Sequence, residues 1–184
     1  ALLDEMGVRV PRSAPFQGIR YVDESIVADG RFLHGEGLGI RRTVLVESLA
    51  QRALSLGVEV RRGCRAGRWE PRADGGVVVD TDEGPIEASL LVGADGLHST
   101  VRAAAGLGTS RRRRQGRGRY GVRRHLRMAP WSPFVEVHWG PGVEAYVTPV
   151  ARDEVGVALL WSGDATDFET LALRVPGLAE RLAG

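Results

Sequence analysis

The segment that most limits how this chain can fold is residues 90–102, LLVGADGLHSTVR. Three apolar residues run into Gly93-Ala94-Asp95-Gly96, and a polar stretch then leads into VRAAAGL, which reads as a helix. A near-continuous apolar run is the pattern of a strand covered on both faces. Glycines 93 and 96 let the backbone turn sharply at its carboxyl end, the edge where open α/β sheets bind ligands. Asp95 is expected to point into that crevice, and Ser99 to cap a helix beginning near Thr100. Arg102, about one turn in, would reach back toward Asp95 or toward a phosphate.

The flanking sequence extends this α/β beginning. In GIRRTVLVESLAQRALSLGVEVRRG the residues Val44, Leu45, Leu49, Ala53 and Leu56 recur at helical spacing. Thr43 is a candidate N-cap, Glu47 is placed in the first turn, and Gly57 suits the left-handed stop. VEVRRG then begins as a short strand, so that helix and strand form the return half of a βαβ unit. Between it and the apolar run lie AGRWEPR, VVVDTD and IEASLLVGAD, separated by ADGG and DEGP, which predict an antiparallel meander.

Beyond Arg119 the pattern shifts to longer strands: RYGVRRHLRM, FVEVHWG, VEAYVTPV and EVGVALLW. In FVEVHWG, Val135, Val137 and Trp139 alternate with Glu136 and His138, so the two sets face opposite ways. A helix is expected over about 167–174. The opening segment to Phe32 carries strand-like pieces such as FQGIRYVD and no helix of its own, and it would join the same sheet, making the central block an insertion. The fold expected is therefore mixed α/β. Its parts are a segment over 1–33 that belongs to the substrate domain or connects to it, a region over 34–110 with the meander, and an antiparallel-sheet region over 111–184.

Composition removes several classes of function. The chain is 43% hydrophobic with a net charge of +2 and a single cysteine, Cys64, so an internal disulfide is excluded. Four scattered histidines offer no metal-ligand spacing. No apolar run approaches the roughly 18 residues of a membrane span, and the N-terminal residues lack a signal-peptide layout, which makes the cytoplasm the default location. The run RRRRQGRGR over 111–119 is brief and without interleaved aromatic residues, and it reads as a solvated linker rather than a nucleic-acid arm.

The segment LLVGADGLHSTVRAAAGL resembles the Asp-Gly motif of class A FAD-dependent monooxygenases, the flavoproteins related to p-hydroxybenzoate hydroxylase. Gly93, Ala94, Asp95, Gly96, Ser99, Val101 and Arg102 all match it. An Arg-x-x-Leu pattern opens the helix before the meander in that family, and here Arg42 and Leu45 match it, with Arg41 as the fallback. The resemblance implies a partial glutathione-reductase-type FAD-binding domain plus an antiparallel-sheet substrate domain. It implies that Arg42 or Arg41, Gly93, Asp95, Gly96, Ser99 and Arg102 lie on the FAD side. It also implies NADH or NADPH as reductant, a flavin hydroperoxide as oxidant, and a small aromatic, polycyclic or alkene substrate.

Two departures accompany the match. The family's G-x-G-x-x-G segment is missing, and GEGLGI at 35–40 has glycines but lacks the preceding βα context of a substitute. The family's later Gly-Asp motif is only partly echoed in LLWSGDATDFETL, where a turn after Gly163-Asp164-Ala165 with Asp167 capping the next helix is the simpler reading. The chain is thus expected to be an internal piece of a longer flavoprotein that binds FAD poorly by itself and is inactive alone. No catalytic side chain is assigned. His125, His138 and Tyr146 are candidates to line the substrate side or simply to pack. Related reactions, geranylgeranyl-type reduction and flavin-dependent halogenation, stay open, as does a non-catalytic basic binding module.

Overall fold

The computed structural model describes residues 2–23, 26–108, 118–164 and 166–183. Most of the arginine run, positions 111–117, and Ala165 lie outside them. In chain order the first elements are α1 (Leu2–Glu5), β1 (Ala14–Phe16), β2 (Gly18–Asp23), β3 (Ile26–Arg31), β4 (Gly37–Gly39) and α2 (Arg42–Ser55). They are followed by β5 (Ala66–Pro71), β6 (Val77–Thr81), β7 (Ile86–Ala88) and α3 (Thr100–Ala104). The last are β8 (Arg119–Leu126), β9 (Val135–Gly140), β10 (Val143–Ala151), β11 (Glu154–Ser162), α4 (Phe168–Ala172) and α5 (Leu178–Ala183). The chain divides into two units, Ala1–Val58 with Gly116–Gly184, and Glu59–Gln115.

The first unit is built on a six-stranded sheet in the order β3-β2-β9-β10-β11-β8. Strands β8 to β11 form the antiparallel sheet that their alternation predicts, and the opening segment joins it through β2. That junction, β2 with β9, is a parallel pairing and not an antiparallel one, from Ile19↔Val135 to Asp23↔Trp139. Parallel neighbours need a long crossover connection; here the whole central block supplies it. The opening segment also contains the four-residue helix α1, where none was expected.

The core lies on one face of this sheet. Val143, Ala145 and Val147 of β10 meet Val155, Val157, Leu159 and Trp161 of β11, and Phe168, Leu171, Val175 and Leu178 from the α4–α5 segment cover them. Asp167 caps α4 as expected: its Oδ1 accepts from the Thr170 amide at 2.7 Å. The turn before it is pinned by Trp161, whose indole N–H donates to the Asp164 carbonyl at 2.9 Å.

Helix α2 ends as predicted, with Gly57 at φ +82° and bonds from Gly57 N–H to Leu54 O and from Val58 N–H to Ala53 O. Its start differs. Arg41 occupies the N-cap without a side-chain cap bond, which places Thr43 inside the first turn and leaves that turn without an acidic residue, since Glu47 comes one turn later. No residue of α2 is fully buried.

The second unit contains the predicted three-stranded meander β5-β6-β7. Its first turn is held by Asp74, which accepts from the Gly76 amide at 3.0 Å, and its second by the Thr81 hydroxyl donating to the Gly84 carbonyl at 2.6 Å. The strands expected at 58–60 and 90–95 do not form. Among the described residues no strand lies beside either stretch, and an extended segment without a neighbour has no ladder to join. Leu90 and Val92, expected to be covered on both faces, are 74% and 73% exposed. Among the described residues this unit has no fully buried apolar side chain.

The first unit should therefore carry the cooperative unfolding transition. Leu159→Ala, at a fully buried site, is expected to lower its stability by about 2–5 kcal/mol, and Leu173→Ala, on the surface, by less than about 0.5 kcal/mol, in denaturant titrations followed by far-UV circular dichroism.

Candidate functional site

In the second unit the Asp-Gly segment forms a tightly held turn. Asp95 folds back on the start of α3, where its Oδ2 accepts from the Thr100 amide at 2.7 Å, the Thr100 hydroxyl at 3.2 Å and the Val101 amide at 3.3 Å. A hydrogen bond from Ser99, ahead of those from the Val101 and Thr100 amides, holds the Asp95 carboxyl well below its usual range, so it is ionised throughout the neutral range. Ser99 caps α3 as expected, its Oγ accepting from the Arg102 amide at 3.0 Å. The Arg102 guanidinium donates to the Leu97 carbonyl at 2.7 Å and so ties down the turn itself rather than pairing with Asp95.

The two glycines are required for different reasons. Gly96 has φ +81°, a conformation that L side chains seldom adopt. Gly93 lies against Val101, where an added Cβ would come within 2.9 Å of that side chain. Gly93, Asp95, Gly96, Ser99 and Arg102 are thus brought together in one unit.

Arg41 and Arg42 belong to the other unit, and they differ sharply. Arg41 bonds to the Glu154 carboxylate at 3.2 Å, a group only 10% exposed that Arg12 also reaches at 3.1 Å. Arg42, exposed in the first turn of α2, makes no ion pair or hydrogen bond among the described residues. Of the two, Arg42 is the cation available to a ligand.

Immediately before these arginines, β4 walls a cavity of about 530 Å³ over the sheet face opposite the helices, lined among others by Leu38, Ile40, Arg123, His125 and Tyr146. The glycines of GEGLGI serve this packing. A Cβ on Gly37 would overlap the Phe16 ring, and one on Gly39 the Pro149 carbonyl. Burial first, then the charges of Arg41 and Arg123 against that of Glu154, push His125 below its ordinary value, leaving it neutral at pH 7. Tyr146 donates to Glu144 at 3.1 Å, and Arg119 holds the same carboxylate at 3.1 Å. Arg123 was not a sequence candidate. Its signal is its spacing, two residues before His125 on β8 and so on the same face.

His138 does not share that cavity. The alternation in β9 is as predicted, but its polar set is the one that faces the helices, although Val137 on the other face is buried too: register places Glu136 opposite Val147 and His138 opposite Ala145. Glu136 is 2% and His138 4% exposed, whereas Trp139 is 40% exposed and stacks on Tyr21. The helix side accommodates them because it is polar at this point. Trp131 donates its indole N–H to Glu136 Oε2 at 2.9 Å, His138 Nε2 lies 3.0 Å from the same oxygen and Arg181 3.7 Å, while Arg20 stands 3.8 Å from Oε1. Burial raises the Glu136 carboxyl, but hydrogen bonds from His138, Trp131 and Ser132 outweigh it and bring it down to about 2.

The family described as FAD binding domain matches residues 34–138. The 12-dehydrotetracycline 5-monooxygenase/anhydrotetracycline 6-monooxygenase of Streptomyces rimosus is 43% identical over 77 residues, 40% of this chain and 15% of that enzyme. A quadruple variant of PqsL from Pseudomonas aeruginosa superposes with a TM-score of 0.75 at 18% identity, covering 99% of this chain and 55% of PqsL. The halogenase PltM, solved with phloroglucinol and FAD, gives a TM-score of 0.72 at 14% identity over 97% of this chain and 43% of its own. At these identities the two structures show a shared fold. The chain spans a small part of the Streptomyces enzyme and about half of the solved structures.

A carboxyl whose folded value lies below its ordinary one contributes stability above the ordinary value and loses it as pH falls through the folded one. For Glu136 that window runs from 4.5 down to about 2. Glu136→Gln is expected to flatten the loss of stability across it in urea titrations of the wild type and variant at stepped pH.

Proposed function

Because the chain belongs to the FAD binding domain family, the family of the class A FAD-dependent monooxygenases, we propose that it is part of a longer monooxygenase. That enzyme draws electrons from NADH or NADPH and hydroxylates a small aromatic, polycyclic or alkene substrate in the cytoplasm. The observation that carries this reading is the Asp95 turn, fixed by bonds to Thr100 and Val101 and closed by two positions that need glycine. Bound FAD would supply the redox and oxygen chemistry.

The residues present suit that cofactor. Arg42 offers a guanidinium unpaired among the described residues for its phosphates or ring carbonyls, Asp95 an ionised acceptor for a hydroxyl, and Gly93 and Gly96 a backbone that comes close without side chains. Residues 34–110 would then serve the flavin, and 111–184 the substrate, joined by 1–33 through β2. The exposed Leu90 and Val92 support completion of the flavin side by further strands. The cavity beside β4 supports a substrate place near the flavin-side arginine, because Ile40 on its wall is followed directly by Arg41 and Arg42.

In the longer protein, Asp95→Ala and Arg42→Gln are each expected to weaken FAD binding at least about tenfold, measured by flavin fluorescence quenching. The 184-residue chain alone is expected to show little flavin absorbance after incubation with FAD. Stoichiometric FAD on the short chain would refute completion by further strands. NADPH oxidation coupled to oxygen uptake supports the monooxygenase. Halide-dependent product would replace it with a halogenase, and oxygen-independent alkene saturation with a reductase.

A further inference from the structure

We propose that the cavity on the sheet face between β4 and β8 takes a planar ring compound carrying an anionic group, and that Arg123 holds that group and sets the preference for anions over neutral rings. Its place in catalysis rests on the function proposed above; its binding chemistry does not.

The case begins with charge. Among the described residues the cavity lining contains one cationic side chain, Arg123, and no carboxylate. The carboxylates nearby are already engaged, Glu144 by Arg119 and Tyr146, and Glu154 by Arg12 and Arg41. Arg123 makes no ion pair or hydrogen bond among the described residues. Its chain neighbour Arg124 shows the contrast: it points to the opposite face, pairs with Glu169 and lies 4.6 Å over the Phe168 ring. An exposed guanidinium at the rim of apolar walls is free to exchange its water for an anion from outside, through two parallel N–H bonds.

The remaining walls specify the rest of the ligand. His125, opposite Gly156 in register, lies across that glycine's backbone, with Cδ2 and Nε2 each 3.5 Å from where a Cβ would be. Being neutral, it offers one N–H donor without a competing charge. Phe16, Leu38 and Leu160 supply apolar surface. Gly37 and the tilted Phe32 ring, 5.7 Å away, fix the plane of Phe16. A cavity of about 530 Å³ is of the size that accepts a small molecule.

The test is isothermal titration of the 184-residue chain with 2-naphthoate and with its neutral analogue 2-naphthalenemethanol. The wild type is expected to bind the acid at least about tenfold more tightly than the alcohol, with affinity falling as salt rises because Arg123 is exposed. Arg123→Gln should abolish both the preference and the salt dependence, and Arg123→Lys should retain part of each. Unchanged circular dichroism in both variants confirms that the fold is intact. Equal affinity for the two probes, no binding of either, or an unaltered preference in Arg123→Gln overturns the proposal. No flavin takes part, so a failed titration leaves the flavin reading standing, and failed FAD binding leaves the titration valid.

Discussion

The pairing of β10 with β11, from Val143↔Trp161 to Thr148↔Gly156, decides which side of each strand in the first unit meets the helices. Side chains alternate across a sheet, so a slip of one residue would carry Val157 and Leu159 out of the core and Ala158 and Leu160 into it. The same register propagates outward. It sends His125, Arg123 and Tyr146 to one face, and Glu136, His138 and Arg124 to the other. The cavity and the buried polar cluster are two sides of a single decision about register.

Much of this was legible in the sequence. The four long strands, the meander turns at Asp74 and Gly84, the Ser99 and Asp167 caps and the Gly57 stop all rest on local chemistry, and local chemistry is what a sequence states openly. The face assignments in β9 were not legible. Period-two alternation separates Glu136 and His138 from Val135 and Val137, but it does not say which set faces the helices; the polar set can do so because Trp131 and Arg181 are brought there by a loop and by α5. The packing role of the β4 glycines was not legible for a related reason, because their partners, Phe16 and Pro149, are distant in the chain. The stretches at 58–60 and 90–92 have the composition of buried strands and no neighbouring strand among the described residues, so propensity alone could not produce a ladder.

The Asp95 turn also changes what its acidic residue is for. With Oδ2 bonded to Thr100 and Val101, and Arg102 committed to Leu97, both side chains first shape the loop. A ligand contact would be made by a group whose position is already settled, which is how a polar site avoids spending binding energy on ordering its own side chains. Arg42 is the contrast: it is exposed and has no partner among the described residues to settle its orientation.

The parallel pairing of β2 with β9 has a consequence in time as well as space. Ile19 waits for Val135, and Asp23 for Trp139, so on the ribosome the β2–β3 hairpin emerges long before its partner strand exists. Closing so long a loop delays the contact relative to the local β10–β11 hairpin. The hairpin edge stays unpaired throughout that interval, with Ile26 and Val27 exposed beside it even in the finished sheet. Vectorial synthesis thus leaves the opening hairpin open to pairing with other chains, and the speed with which β9 to β11 assemble sets how long that exposure lasts.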